Sequence, residues 1–475
     1  MTDNTIAPTT DNTIAHRRLS RRAFAQGLAA TGLAATGSLG AFQALAEAST
    51  RPQRPGRASS VSFSVSDWPL ETDKAALAEA NTQLAAYEKL HPTTHITTNS
   101  VKFNPATFYT QFAAGNYPNV YKAYFTDAQE IIRRHYSADI TSSLRNWEWL
   151  GSITPGVRQT ASDASGRLYG IPLDAYSLGL CYSRKAFQEA GLDPNKPPTT
   201  WAQFRAYSKK LTTATRKGFG MLSTQNTGGW HFTAILYSEG GRGEALQAGH
   251  NVATFNSPAG VKVAQLLHDM RWSDNSVLNK PMGYDDNTRA LAEGQIGMGI
   301  LAGDQIANFK QTYKVGLDDF MMAGLPQGPG NATLFGGNVF FFDPRLSSDT
   351  LAAAIDWIKF QNFNLAYYDS FDRALAASGG IVGIPNNIAY TGALLAARQK
   401  VDATYLNAPL KNYSAYLAAN ARLKLVPEAR VQAQTMYQTL DPVVQAMLTD
   451  QSASPQHVLD AAARQFQRVL DQSAS

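Results

Sequence analysis

Residues 169–201 constrain this chain more than any other stretch. Tyr169-Gly170-Ile171-Pro172-Leu173 leads through Asp174 and Tyr176, two side chains able to hydrogen-bond, into Leu178, Leu180 and Tyr182, which alternate with Gly179 and Cys181. A period of two predicts a strand. A short helix follows and is stopped by Gly191. Pro197-Pro198-Thr199 then turns the chain into a helix opened by Thr200-Trp201-Ala202-Gln203. That is a capping box, with Thr200 covering the first helix amides and Gln203 reaching back. An extended segment that crosses, turns and caps in this order suits a passage between two units.

The length, 475 residues, exceeds what one core holds and predicts about two domains. Val61 to Val65 alternates apolar and polar residues as a first strand. Thr72 or Asp73 caps a helix with Leu77, Ala80, Leu84 and Tyr87 on one face, His91-Pro92 ends it, and Thr94 to Val101 makes a second strand. Strand–helix–strand predicts a parallel sheet. Ligands of such sheets bind beyond the C-terminal strand ends, so Asp67 and Trp68, in the loop after the first strand, are site candidates. Tyr124 and Asp127 fall at the end of the next strand or in its loop. The tail reads as two helices, the second capped by Ser454 with Val458, Leu459, Ala462, Phe466 and Val469 on one face.

Ser20-Arg21-Arg22-Ala23-Phe24 is a twin-arginine motif, followed by an Ala/Gly/Leu stretch with small residues around Ala44 to Ala48 for cleavage. Residues 1–48 are therefore expected to be an export signal, and 49–60, with Pro52, Pro55 and Gly56, a disordered linker. Removing the signal takes away four arginines and three acids of the 42 basic and 37 acidic residues, leaving a net charge near +4. With no block of Lys or Arg, this is no nucleic-acid surface. The one cysteine, Cys181, lies far from the cleavage region. That rules against a lipoprotein anchor and an internal disulfide, and Cys181 is expected to fill a buried strand position.

The run Pro172, Tyr176, Tyr182-Ser183-Arg184, Ala190-Gly191-Leu192 and Pro197-Pro198-Thr199-Thr200-Trp201 resembles the hinge-crossing segment of bacterial extracellular solute-binding proteins of the maltose-binding-protein type, which deliver sugars to ABC importers. Other family patterns are matched by Tyr117-Pro118-Asn119-Val120, with Asn119 where an acid is usual, and by Gly229-Trp230-His231-Phe232 ahead of Gly240-Gly241. Glu293-Gly294-Gln295-Ile296-Gly297-Met298 and Phe335-Gly336-Gly337-Asn338 match two more. The resemblance covers roughly Val61 to Leu470. It implies an α/β, two-lobed periplasmic-binding-protein fold of type II, each lobe a mostly parallel sheet flanked by helices, with the ligand cleft between lobes at the hinge. The implied lobes are 61–172 plus 326–375 and 173–325 plus 376–475. It further implies a monomeric periplasmic or extracellular receptor that closes on a solute, expected to be a carbohydrate, and hands it to a membrane permease, with no catalytic residue, cofactor or metal.

A sugar presents C–H faces to flat rings and hydroxyls to planar polar groups. Trp68, Tyr124, Tyr176 and Trp230 are the candidate rings; Asp67, Asp127, Asp174, Asp304 and Asn338 are the polar candidates. Trp201 and Trp357, in amphipathic helices, are assigned to packing, and Asp304 has a competing role as the cap of a helix near Gln305. Trp230→Ala is expected to weaken binding without lowering the melting temperature. Rival ligands are polyamines, served by Asp67, Asp127 and Asp174. A secreted glycosidase would need two carboxylates across the cleft. Ala175-Tyr176-Ser177-Leu178-Gly179 falls short of a nucleophile elbow, because a strand rather than a helix follows the serine. His91 and His95, with Pro92 between them, do not make a zinc motif.

Overall fold

The computed structural model describes residues 60–72, 74–385 and 387–473; the expected export signal, nearly all of the linker and the possible Asp73 cap lie outside them. The first strand, β1 (Val61–Val65), buries Phe63 and Val65 and pairs in parallel with β2 (Thr94–Thr98) and β3 (Val120–Tyr124). Between β1 and β2 runs α1 (Lys74–Leu90), which turns Tyr87 wholly inward. Alternation along β1 and three- to four-residue spacing along α1 thus build a strand–helix–strand unit, as the sequence predicts.

β4 (Gly170–Ser183) is the long crossing strand, buried on both faces from Leu178 to Tyr182. Cys181 lies within that stretch, fully buried, and burial pushes its thiol pKa up. Beyond β4 come β5 (Lys217–Gly220), a hairpin of β6 (Glu244–Gln247) and β7 (His250–Ala253), β8 (Ile296–Ala302) and β9 (Phe320–Gly324). The second long strand, β10 (Ala332–Phe342), returns between β3 and β4, antiparallel to both. The sheet order is β2-β1-β3-β10-β4-β8-β5, with β9 also on β4 and β11 (Lys424–Pro427) parallel to β10. The wings are parallel, as βαβ connections dictate, and the two crossing strands supply the antiparallel joints.

Among the described residues two large hydrophobic cores form along this sheet, beside a small cluster of Ala307, Ile381 and Ala408. The first gathers Phe63 to Ala175, Phe335 to Phe363 and then Ala389, Tyr390 and Leu394; the second gathers Leu178 to Leu334 and Tyr413 to Leu470. The chain therefore changes core between Ala175 and Leu178 in β4, and between Leu334 and Phe335 in β10. Residues 376–475, expected together, are divided. Tyr390 bridges Ile153, and Thr391 N donates to the Ser152 carbonyl at 2.7 Å, which ties this stretch to the first core.

Local expectations hold with small shifts: the second strand, expected to Val101, ends at Thr98. Thr200 caps α3 (Trp201–Leu211) by accepting from Gln203 N, but the Gln203 side chain accepts from Thr199 N at 2.9 Å rather than from Thr200. Trp201 and Trp357 are buried, as assigned. Asn119 is structural, since its Oδ1 accepts from Ser64 N and its Nδ2 donates to Asp343. Ser177 is no nucleophile in waiting, because it is fully buried with its Oγ 2.8 Å from the Tyr416 hydroxyl, which donates to the Ser177 carbonyl.

Candidate functional site

Where the cores meet, a cleft opens at the strand crossing. One wall comes from the first core: Tyr124 at the end of β3, Thr126 in the first turn of α2 (Phe125–Arg133), and Gly337 on β10. The opposite wall comes from the second core. It consists of Gln225, Asn226 and Thr227 entering α4 (Thr227–Ser238), Trp230 one turn in, Glu428 after β11, and Gln434 and Tyr437 on α6. Here α5 is Ser348–Phe363 and α6 is Ala433–Thr449. Tyr176 reaches the cleft from β4, and its ring meets Trp230 edge-on at 6.3 Å.

Glycines set the wall positions. A Cβ on Gly337 would come within 2.2 Å of the Asp174 carbonyl oxygen and 2.6 Å of the Phe125 ring, so only glycine lets β10 run this close to β4. A Cβ on Gly229 would come within 2.2 Å of the Tyr437 carbonyl oxygen, so α4 lies directly on α6. Two consecutive non-glycine residues, Gln225 and Asn226, have φ of 61° and 64°. Left-handed backbone of this kind costs about 1–3 kcal/mol per residue and gathers at ligand sites.

The cleft is narrow, about 70 Å³, against roughly 300–1,000 Å³ for pockets that hold small organic ligands. Gln434 Nε2 donates to Thr126 Oγ1 across it at 3.3 Å, and Arg430 donates to Gln129 Oε1 at 2.9 Å. A ligand of that size enters only if the walls part. A larger groove of about 360 Å³ lies where α2 ends near the C-terminal helix α7 (Pro455–Ser473). No aromatic ring lines it, and its two arginines, Arg133 and Arg134, are ion-paired to Glu130. The aromatic cleft is the better candidate despite its smaller volume.

Of the residues expected at the site, Tyr124, Tyr176 and Trp230 are in the cleft. Asp127 lies just behind it, next to Thr126. Asp174 and Asn338 face each other at the strand crossing, where Asn338 Nδ2 donates to both carboxylate oxygens at 3.0 and 2.9 Å beside a break in the β4–β10 register. Asp67 is ion-paired with Lys122, and Asp304 sits in the turn after β8. Trp68 lies away from the cleft, buried in the first core; its ring centroid is 6.4 Å from that of Trp357 and its Nε1 donates to Asn81 at 3.2 Å. Thr126, Gln225, Asn226, Thr227, Glu428, Gln434 and Tyr437 were not anticipated. Gly337 belongs to the Phe335-Gly336-Gly337-Asn338 pattern, which by itself points to a strand and not to a cleft wall.

Burial pushes the Asp127 carboxyl from 3.8 up to about 7, outweighing hydrogen bonds from Thr126 and Tyr109, with the Glu130 carboxylate adding to the rise. A carboxyl that holds its proton more tightly when folded stabilises the protein in acid and loses that contribution as pH rises from about 4 to about 7. Asp127→Asn is therefore expected to raise the melting temperature over wild type most above about pH 7 and least below about pH 4. Equal gains at both ends in melting scans would show that this carboxyl is not held protonated. His231, behind Trp230, is lowered to about 3 by burial and stays neutral.

Residues 68–360 match the family model described as bacterial extracellular solute-binding protein. The sn-glycerol-3-phosphate-binding periplasmic protein of Pectobacterium atrosepticum is 29% identical over 199 residues, 40% of this chain and 43% of that protein. Its Salmonella typhimurium counterpart is 27% identical over 245 residues, 48% of this chain and 54% of that one. The chain thus spans about half the length of the curated relatives it matches. Among solved structures, UgpB from Mycobacterium tuberculosis in complex with glycerophosphocholine superposes with a TM-score of 0.67 at 16% identity, covering 88% of this chain and all of that one. Maltose-bound MalE3 of T. maritima gives 0.65 at 20%, covering 86% of this chain and all of that one. At these identities the structural likeness is one of fold.

Proposed function

Because the chain belongs to the bacterial extracellular solute-binding protein family, we propose that it is the extracytoplasmic receptor of an ABC importer, taking a carbohydrate into this cleft and delivering it to a membrane permease. The observation that carries the reading is the division of the cleft between two cores, with flat rings (Tyr124, Tyr176, Trp230, Tyr437) beside planar polar groups (Glu428, Gln225, Asn226, Gln434). Each stacked ring contributes about 0.5–1.5 kcal/mol beyond its buried area, and each hydroxyl bonded to Glu428 about 1.5–3 kcal/mol. The lobes follow the cores: 61–175 with 335–394, and 178–334 with 413–470. A ligand touching both walls binds the closed arrangement better than the open one, and that difference drives closure about β4 and β10. The Asp174–Asn338 pair and the Asp67–Lys122 pair support the hinge and the first wall.

Export by the twin-arginine route, without a lipid anchor, completes the reading, on the strength of Arg21-Arg22 and the single internal cysteine. Glu428 is the one carboxylate lining the cleft among the described residues, which speaks against the paired acids of a glycosidase. A second reading, a glycerol phosphate compound as in the relatives' names, is favoured by those sequence matches.

A thermal-shift panel of sugars, polyamines, metal ions and glycerol phosphates tests the assignment. A carbohydrate at about 100 times its dissociation constant is expected to add about 2.7 kcal/mol, seen as a rise in melting temperature without consumption of the sugar. A shift confined to polyamines or metal ions overturns the carbohydrate reading, and turnover of an oligosaccharide overturns the receptor.

A further inference from the structure

The start of α4 is where a cleft of this kind could hold an anion, since a helix N-terminus gathers unpaired amides and positive dipole charge. Asn226 and Thr227 line the cleft there, and α4 is 12 residues long. The amides of that turn are, however, already engaged. Asn226 N and Gly229 N donate to the two oxygens of Asp441, at 2.7 and 2.8 Å, and Gly228 N bonds the same carboxylate. Thr227 N donates to the Thr224 carbonyl at 3.0 Å and Trp230 N to the Asn226 carbonyl at 3.2 Å. Asp441 is held on α6, almost wholly buried. A carboxylate of the protein itself sits where an anionic ligand group would have to bind.

The lining residues point the same way. Glu428 adds a second negative group, and no Lys, Arg or His lines the cleft among the described residues. Arg430, two residues beyond Glu428, is turned to Gln129, and Lys122 is paired with Asp67. A phosphate entering here would find the amides of this turn taken and, among the described lining residues, no cation, and it would lie beside a buried carboxylate. Such a site discriminates by repulsion as well as by fit.

We propose that Asp441 and Glu428 are specificity-determining residues that make this a receptor for unphosphorylated polyhydroxyl ligands, Asp441 by filling the amide nest of α4 from within and Glu428 by repelling a phosphate from the cleft wall. The proposal rests on the carbohydrate reading for its ligand class and adds that a phosphate group is rejected.

The test is calorimetric titration of the full-length protein with matched pairs: each neutral sugar that binds against its phosphorylated form, glycerol against glycerol 3-phosphate, and inorganic phosphate alone. Phosphorylation is expected to weaken binding about 100-fold or more, the scale of a like-charge contact in a desolvated site. Glycerol 3-phosphate and inorganic phosphate are expected to give no binding at millimolar concentration. Asp441→Asn is expected to narrow the discrimination and to let inorganic phosphate raise the melting temperature. Glu428→Gln, which leaves the cap of α4 intact, is expected to narrow it as well and stands in if the first variant does not fold. A phosphorylated ligand binding as tightly as its neutral partner overturns the proposal, as does discrimination unchanged in the folded variants. Silence from sugars and phosphates alike overturns the carbohydrate reading and this proposal with it; binding by phosphorylated ligands alone overturns the exclusion while leaving a receptor of the glycerol phosphate kind.

Discussion

Trp230→Ala is expected to lower ligand affinity by about 1–3 kcal/mol and, at the same time, to lower the melting temperature. A ring at the start of a helix, after two glycines, suggests a cleft residue whose loss leaves the fold untouched. The structure joins both roles in one side chain. Trp230 lines the cleft yet is 6% exposed, packed in the second core with its ring 5.8 Å from Tyr284 and 5.2 Å from His231. Truncating a buried Trp costs about 3–5 kcal/mol of stability. Trp230→Phe keeps an aromatic body in the core and is expected to recover most of that stability while still binding more weakly. Calorimetric titration below the melting range separates the two effects: affinity unchanged in both variants would make Trp230 a core residue only.

The second large effect is expected at Trp68, with the opposite division. Trp68→Ala should cost about 3–5 kcal/mol of stability and leave the affinity of the folded protein as it was. Trp68 is 5% exposed, against Trp357 of α5, and its indole N–H is bonded to Asn81 on α1. The loss therefore includes an aromatic contact, a hydrogen bond and a cavity between helices. Denaturant unfolding and titration of the same variant provide the check. A fall in affinity while the protein is fully folded would put Trp68 back in the cleft.

The two tryptophans mark the limit of a sequence position as evidence. Both follow a landmark that points to a ligand, the end of β1 for Trp68 and the paired glycines for Trp230. After β1 the backbone turns sharply, with Asp67 at φ 61°. Trp68 N then donates to the Asn99 carbonyl beyond β2, and the ring packs in the first core beside Trp357. Asp174 and Asn338 show the same limit among polar residues. Each was expected to offer its side chain to a ligand, and the β4–β10 register sets them face to face, with Asn338 Nδ2 donating to the Asp174 carboxylate.

What the sequence determined by itself is what neighbouring residues decide. Alternation made β1 and β4, three- and four-residue spacing made α1, and Thr200 capped α3, since each follows from contacts within a few positions. The passage between two units at 169–201 was legible because a strand buried on both faces, a glycine stop and a capped helix are all local. Tyr124 and Trp230 could be named because a strand end and a loop–helix junction carry local signs, whereas Tyr176, in the middle of β4, was pointed to by the resemblance to the family's hinge segment. The rest of the site was decided only by the tertiary structure. Glu428, Gln434 and Tyr437 lie some 200 residues from Trp230 and reach the cleft because α6 packs on α4 through Gly229. Asp441 engages the amides of α4 through the same contact. No periodicity or turn signal couples positions so far apart; that coupling comes from close packing, which sequence neighbours do not carry.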